Sequence, residues 1–78
     1  MTINELVRTD EWIDVEHERV IVRGIGGTVY YDGGDLQVDP FDFDEYEVPE
    51  WAMRPIIMRG HIKSSVEDVD NEVRITIA

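Results

Sequence analysis

Seventy-eight residues without a cysteine make one small domain, residues 1–78, whose core rests on apolar side chains alone, because neither a disulfide framework nor a thiolate metal site is available. Eighteen acidic residues against seven basic ones leave a formal charge of −11, which repels phosphate and anionic lipid, so neither direct DNA binding nor membrane binding is expected. No apolar run reaches the ~20 residues that span a bilayer, and the N-terminus lacks the basic-then-apolar pattern of a secretion signal, so the expected location is cytoplasmic.

Thr2-Ile3-Asn4-Glu5 reads as a capping box, in which the Thr2 hydroxyl accepts from the Glu5 amide and the Glu5 carboxylate reaches back. A short helix over about residues 3–9 follows, with Ile3, Leu6 and Val7 on one side; an extended start is the alternative. Trp12 to His17 alternates, with Ile13, Val15 and His17 on one face, and period two predicts a half-buried strand. Val20 to Ile25 is a second β-rich run, apolar enough to be central. Gly26-Gly27 is a hairpin signal, and Thr28 to Tyr31 is the return strand. Asp32 to Asp35 reads as a turn and Leu36 to Val38 as a short strand, which completes a β-meander.

Pro40 closes that strand and opens the acidic stretch. Phe41 and Phe43 share one parity, Tyr46 and Val48 the other, so the segment is either a strand bent near Glu45 or a loop anchored by its aromatics. Pro49 to Arg54 suits one helical turn, which Pro55 ends by forcing Arg54 to be extended. Ile56 to Ile62 is a strand interrupted by Gly60, and Val73 to Ile77 is the last strand. Ser64 to Glu72 is either a wide hairpin turning at Asp70-Asn71 or a loop with a capped turn at Ser65. The fold class is therefore mostly β: a small barrel or strongly twisted antiparallel sheet with a short N-terminal helix.

Catalytic chemistry is sparse. His17, on the apolar side of its strand, reads as a satisfied structural histidine, and His61 as a surface residue. Ser64 and Ser65 sit in no nucleophile-elbow pattern, so no enzyme is expected. Asp42-Phe43-Asp44 begins like a calcium loop, but Tyr46 and Glu47 stand where the fifth ligand and the turn glycine belong. Two histidines give no zinc spacing, and Gly24 to Gly27 is followed by hairpin sequence rather than a phosphate-binding helix. No metal and no cofactor are expected.

Charge falls in blocks: residues 32–50 hold eight acids and no base, while residues 51–63 hold Arg54, Arg59 and Lys63 and no acid. The acidic block is either a solvated loop or a carboxylate array for a basic partner. Alternate strand residues lie ~6.7 Å apart, whereas one DNA strand carries a charge about every 3.4 Å. Imitating a nucleic acid therefore needs a second row of acids, which Asp32, Asp35 and Asp39 are placed to supply beside Asp42, Asp44, Glu45, Glu47 and Glu50. The two phenylalanines read as core anchors. Trp51 is the candidate aromatic anchor of an interface, or half of a two-tryptophan mini-core with Trp12.

The function expected from these features is that of a non-enzymatic acidic interaction protein that binds a basic protein surface. Its sharpest form is a nucleic-acid mimic that inhibits a DNA- or RNA-binding machine, as phage anti-defence proteins do. Salt adaptation is the rival account of the charge. One lysine against six arginines fits a GC-rich genome, which salt-loving archaea and many phages share. Ile57-Met58-Arg59-Gly60, late in the chain after a meander, resembles the second motif of Sm-like RNA-binding barrels, and a leading short helix suits that family. The aspartate-then-asparagine signature of that family's first motif has no counterpart here. The alternative function is that of a salt-adapted small barrel, Sm-like in general character, that binds RNA or a protein subunit through the basic patch Arg54, Arg59 and Lys63. A structural subunit, seen as a fixed homo-oligomer, is the third possibility.

Overall fold

The computed structural model describes residues 1–36 and 48–78. Five strands form one sheet: β1 (Glu16–His17), β2 (Val20–Gly24), β3 (Val29–Gly33), β4 (Ile56–Lys63) and β5 (Val69–Ile77). Two short helices, α1 (Ile3–Leu6) and α2 (Asp10–Ile13), precede them, and a 3₁₀ turn spans Glu50–Met53.

β5 is the centre of the sheet. It pairs antiparallel with β4 on one side and parallel with β2 and β1 on the other, while β3 pairs antiparallel with β2. Two hairpins, β2–β3 and β4–β5, are thus joined by the parallel β2–β5 pair. The sheet is mixed rather than a pure meander, because the chain crosses back through the 3₁₀ turn before β4 begins. It does not close into a barrel.

Alternation explains the core. In-register neighbours share a face, so Val20, Val22 and Gly24 of β2 lie beside Val73, Ile75 and Ile77 of β5. These residues are buried together with Ile3, Leu6 and Val7 of the N-terminal turn and Ala52 of the 3₁₀ turn. Each fully buried aliphatic side chain contributes roughly 1.5–3 kcal/mol of transfer free energy, and a short helix persists only through such docking. The N-terminus is also tied down by backbone pairing: Ile56 N–H donates to the Met1 carbonyl at 2.7 Å.

The capping box forms as its residues dictate. Glu5 N–H donates to Thr2 Oγ1 at 3.2 Å, and Thr2 N–H donates to Glu5 Oε1 at 3.1 Å. The helix stops earlier than expected, because Thr9 starts a new one. Its hydroxyl donates to the Leu6 carbonyl at 2.7 Å and accepts from Trp12 N–H at 3.3 Å. Asp10 and Glu11 then occupy a first turn, where the helix dipole favours carboxylates. This cap overrides the period-two pattern of residues 12–17. Trp12 is buried and Ile13 is 61% exposed, the reverse of the strand reading, and only Glu16–His17 pairs as strand.

The β2–β3 hairpin turns where the glycines stand. Gly27 N–H donates to the Gly24 carbonyl and Gly24 N–H to the Thr28 carbonyl, with Gly27 at φ +89°. The β4–β5 turn falls at residues 64–68 rather than at Asp70-Asn71, with Asp68 at φ 60°, a conformation aspartate tolerates. β5 is longer in consequence. Asn71 is skipped in the register, since Ile62 faces Glu72 and Lys63 faces Asp70. That bulge returns Asp70 to the core side of the sheet.

The 3₁₀ turn is the expected one, and Arg54 is extended before Pro55 (φ −82°, ψ 147°). Gly60 does not interrupt β4. Leu36 is buried but belongs to no strand. The rest of that proposed strand and most of the acidic stretch lie outside the described residues. Among the described residues no helix is long and apolar enough to cross a membrane.

Candidate functional site

A cleft of about 100 Å³ opens between α2 and β4. Its walls follow from strand alternation. Arg59 faces Ile75 and His61 faces Val73 across the β4–β5 pair, so both project on the core side, and the bulge brings Lys63 opposite Asp70 on that same side. Glu11, Trp12 and Val15 form the opposite wall, and His17 and Asp70 the floor.

A row of alternating carboxylates and imidazoles runs through the floor. Asp35 accepts from the backbone N–H of His17 at 3.2 Å and lies 3.2 Å from His17 Nδ1. A carboxylate can only accept, so Nδ1 carries the proton. His17 Nε2 lies 3.8 Å from Asp70 Oδ2, an electrostatic contact too long for a hydrogen bond, and His61 Nδ1 lies 3.3 Å from the same oxygen. The order is Asp35, His17, Asp70, His61. The middle two side chains are buried, and His61 reaches the surface with 39% of its side chain exposed. Trp12 fixes the row from above. Its ring stacks on His17 at 3.7 Å between centroids, and its Nε1–H donates to the Leu36 carbonyl at 2.9 Å. Arg59 donates to Glu11 Oε1 at 3.1 Å, which clips β4 to α2.

His17 is thus buried and hydrogen-bonded, as a structural histidine should be. His61 is exposed, yet it is joined to a buried aspartate, Asp70, which the wide-hairpin alternative puts in a turn. Glu11, Trp12 and Asp70 had no part in the expected site. The available signal was Arg59-x-His61-x-Lys63, three bases at period two. Among the described residues no three histidine, aspartate or glutamate side chains converge to hold a metal ion.

The expected acidic site is placed in part. Asp32 is held by two bonds from Arg19, at 3.0 and 2.9 Å, and this guanidinium keeps the Asp32 carboxyl below the usual carboxylate range. Asp35 is committed to His17. Glu50 pairs with Arg54 at 2.8 Å. Trp51 is half-buried against Tyr31, their rings 6.2 Å apart, while Trp12 stacks on His17, so the two tryptophans have different ring partners. Burial, with Asp35 and Asp32 nearby, pushes the Tyr31 hydroxyl above its ordinary value. Asp39, Asp42, Asp44, Glu45 and Glu47 lie outside the described residues. Of the proposed second row, Asp32 and Asp35 thus have partners within the fold, and Asp39 lies outside the described residues.

The three bases of the alternative patch are not all in one place. Arg59 and Lys63 share the cleft, but Arg54 lies elsewhere, bonded to Glu50 and to Tyr30 Oη at 3.0 Å, with its guanidinium 5.3 Å from the Tyr30 ring centre. The chain matches no protein-family model, no curated protein and no solved structure.

Proposed function

We propose that this chain is a non-enzymatic acidic interaction protein that docks on a basic protein surface, in the manner of a nucleic-acid mimic. The observation that supports this reading is how the fold spends its bases. Arg19, Arg54, Arg59 and Arg74 are each paired with a carboxylate of the same molecule. Internal pairing leaves the acid excess outward. Glu16 faces Val69 in the sheet, and its N–H donates to the Asp68 carbonyl at 2.9 Å. Exposed Asp14, Glu16, Glu18, Glu67 and Asp68 are thereby gathered at one end of the sheet. Residues 37–47 add Asp39, Asp42, Asp44, Glu45 and Glu47 in sequence, with no base among them.

Such a field raises the encounter rate with a basic groove, and close pairing then holds the complex. The target is the positively charged groove of a DNA- or RNA-binding machine, and the effect is inhibition by occupation. The test is affinity capture from nuclease-treated lysate with DNA as competitor. Wild-type protein retains nucleic-acid-binding proteins that DNA displaces. Charge reversal at Asp42, Asp44 and Glu47 together abolishes retention while thermal unfolding is unchanged. If the triple variant retains the same proteins, the acidic stretch is not the binding surface.

A further inference from the structure

We propose that the cleft between α2 and β4 binds a small phosphate-class oxyanion, either inorganic phosphate or a phosphomonoester, through Lys63, His61 and Arg59. This goes beyond the acidic-surface reading and stands on a different part of the molecule.

The first observation is an inverted strand. A strand lying over a core carries apolar residues inward and polar ones outward. From residue 58 to residue 63, β4 does the opposite. Arg59, His61 and Lys63 project toward α2, while Met58 and Ile62 face outward at 67% and 52% exposure. Folding alone favours the reverse, and places where a chain breaks its own pattern are where function is expected.

The second observation is how the donors are prepared. Asp70, only 3% exposed, meets His61 on its Nδ1 side, which turns the other ring nitrogen, Nε2, away from the floor. His17, itself fixed by Asp35 and by the stacked Trp12, faces the same Asp70 oxygen from the other side. The aspartate thus orients an exposed imidazole, as a carboxylate behind a working histidine does. Arg59 uses one of its five N–H groups on Glu11 and keeps others for a ligand. Lys63 lines the same cleft and has no ion-pair partner among the described residues.

The ligand class follows from size and direction. Successive inward positions on a strand are ~6.7 Å apart, so the three bases approach from three directions, with the short imidazole in the middle and the two long side chains flanking it. A carboxylate offers two oxygens in one plane. A tetrahedral dianion offers oxygens on every side, and the cleft of about 100 Å³ admits a group of a few heavy atoms. Two carboxylates line the cleft, Glu11 and Asp70, and each already faces a base of the site, Arg59 at 3.1 Å and His61 at 3.3 Å, while the rest of the net negative charge acts at longer range. At physiological salt the screening length is about 8 Å, so donors in contact outweigh distant acids.

The experiment is a titration of ¹⁵N-labelled protein with inorganic phosphate, phenyl phosphate and acetate at constant ionic strength. Phosphate should give saturable shifts confined to Trp12, His61, Lys63 and their neighbours, and acetate at equal concentration at least tenfold weaker ones. Lys63→Ala and Arg59→Ala should each weaken phosphate binding about tenfold. Glu11→Gln, which frees Arg59, should tighten it. Unchanged thermal unfolding of Lys63→Ala, an exposed site, shows that the loss is not structural. Tighter binding of phenyl phosphate assigns the site to an ester, and tighter binding of inorganic phosphate assigns it to the free anion. Diffuse or unsaturable shifts, equal response to acetate, or full affinity in Lys63→Ala would overturn the proposal.

Discussion

His17 is the residue on which most of the cleft depends. It stands between two carboxylates, Asp35 and Asp70, and under Trp12. Replacing it with phenylalanine keeps the stacked ring and removes both nitrogens, so two carboxylates are left facing an apolar edge. Leaving a buried carboxylate without its hydrogen-bond donor costs on the order of 1–3 kcal/mol, and His17→Phe should lose at least about that much stability in urea titration. Asp35→Asn in the same background should cost far less than it does alone, because its partner is already gone; additive losses would show that the row is not a coupled unit. Asp32 offers a contrasting case at the surface. Arg19 holds its carboxyl below the ordinary value, so the pair contributes stability above the ordinary aspartate pKa of about 3.9, and that contribution fades as pH falls through the lower, folded value. The stability gap between wild type and Asp32→Asn should therefore close below about pH 4. Since both side chains are well exposed, added salt should shrink the gap at neutral pH as well.

At the scale of elements, what could be read from the chain depended on whether one signal acted alone. The glycine hairpin at Gly27 and the alternation of β5 each had no competitor, and each formed; at Thr2–Glu5 the capping box prevailed over an extended start. Over residues 12–17 the period-two pattern alone points to a strand, and the structure instead caps a helix at Thr9, whose hydroxyl satisfies Trp12 N–H locally. Thr9→Ala should accordingly cost about 1 kcal/mol and, by loosening α2, also move Glu11 and Trp12 in the cleft wall. The Asp70 side of the cleft was hidden for another reason. Its place depends on the bulge at Asn71, a feature of strand register that no local pattern announces. β4 was legible as a strand, but its three inward bases became a site only once α2 and β5 enclosed them. Gly60 tests the strand directly. A Cβ there meets nothing within 4 Å, whereas one at Gly24 meets Tyr30 at 2.9 Å. Gly60→Ala should be neutral or stabilise by roughly 0.5–1 kcal/mol, while Gly24→Ala should destabilise, both measured by thermal unfolding.

At the scale of the whole molecule, the question is why so small a core carries a charge of −11. Self-repulsion of that size opposes compaction, and marginal domains feel it. If the charge exists for a high-salt environment, the folded state should depend on that environment. The chain would then be unfolded in dilute buffer and gain its cooperative transition only in multi-molar potassium chloride. If the charge exists to meet a basic partner, the core described above must hold without such help. The ion pairs Arg19–Asp32, Arg54–Glu50 and Arg59–Glu11 all contain an exposed carboxylate and are worth little each, so they neither rescue nor explain the fold. The interaction reading therefore expects cooperative unfolding in low-salt buffer, with modest stabilisation as salt screens like charges, while partner binding weakens over the same range. These opposite slopes, measured by calorimetry and by capture at matched salt, separate the two accounts. A protein whose folding and binding both strengthen toward molar salt is adapted to its solvent, and its carboxylates are then not a recognition surface.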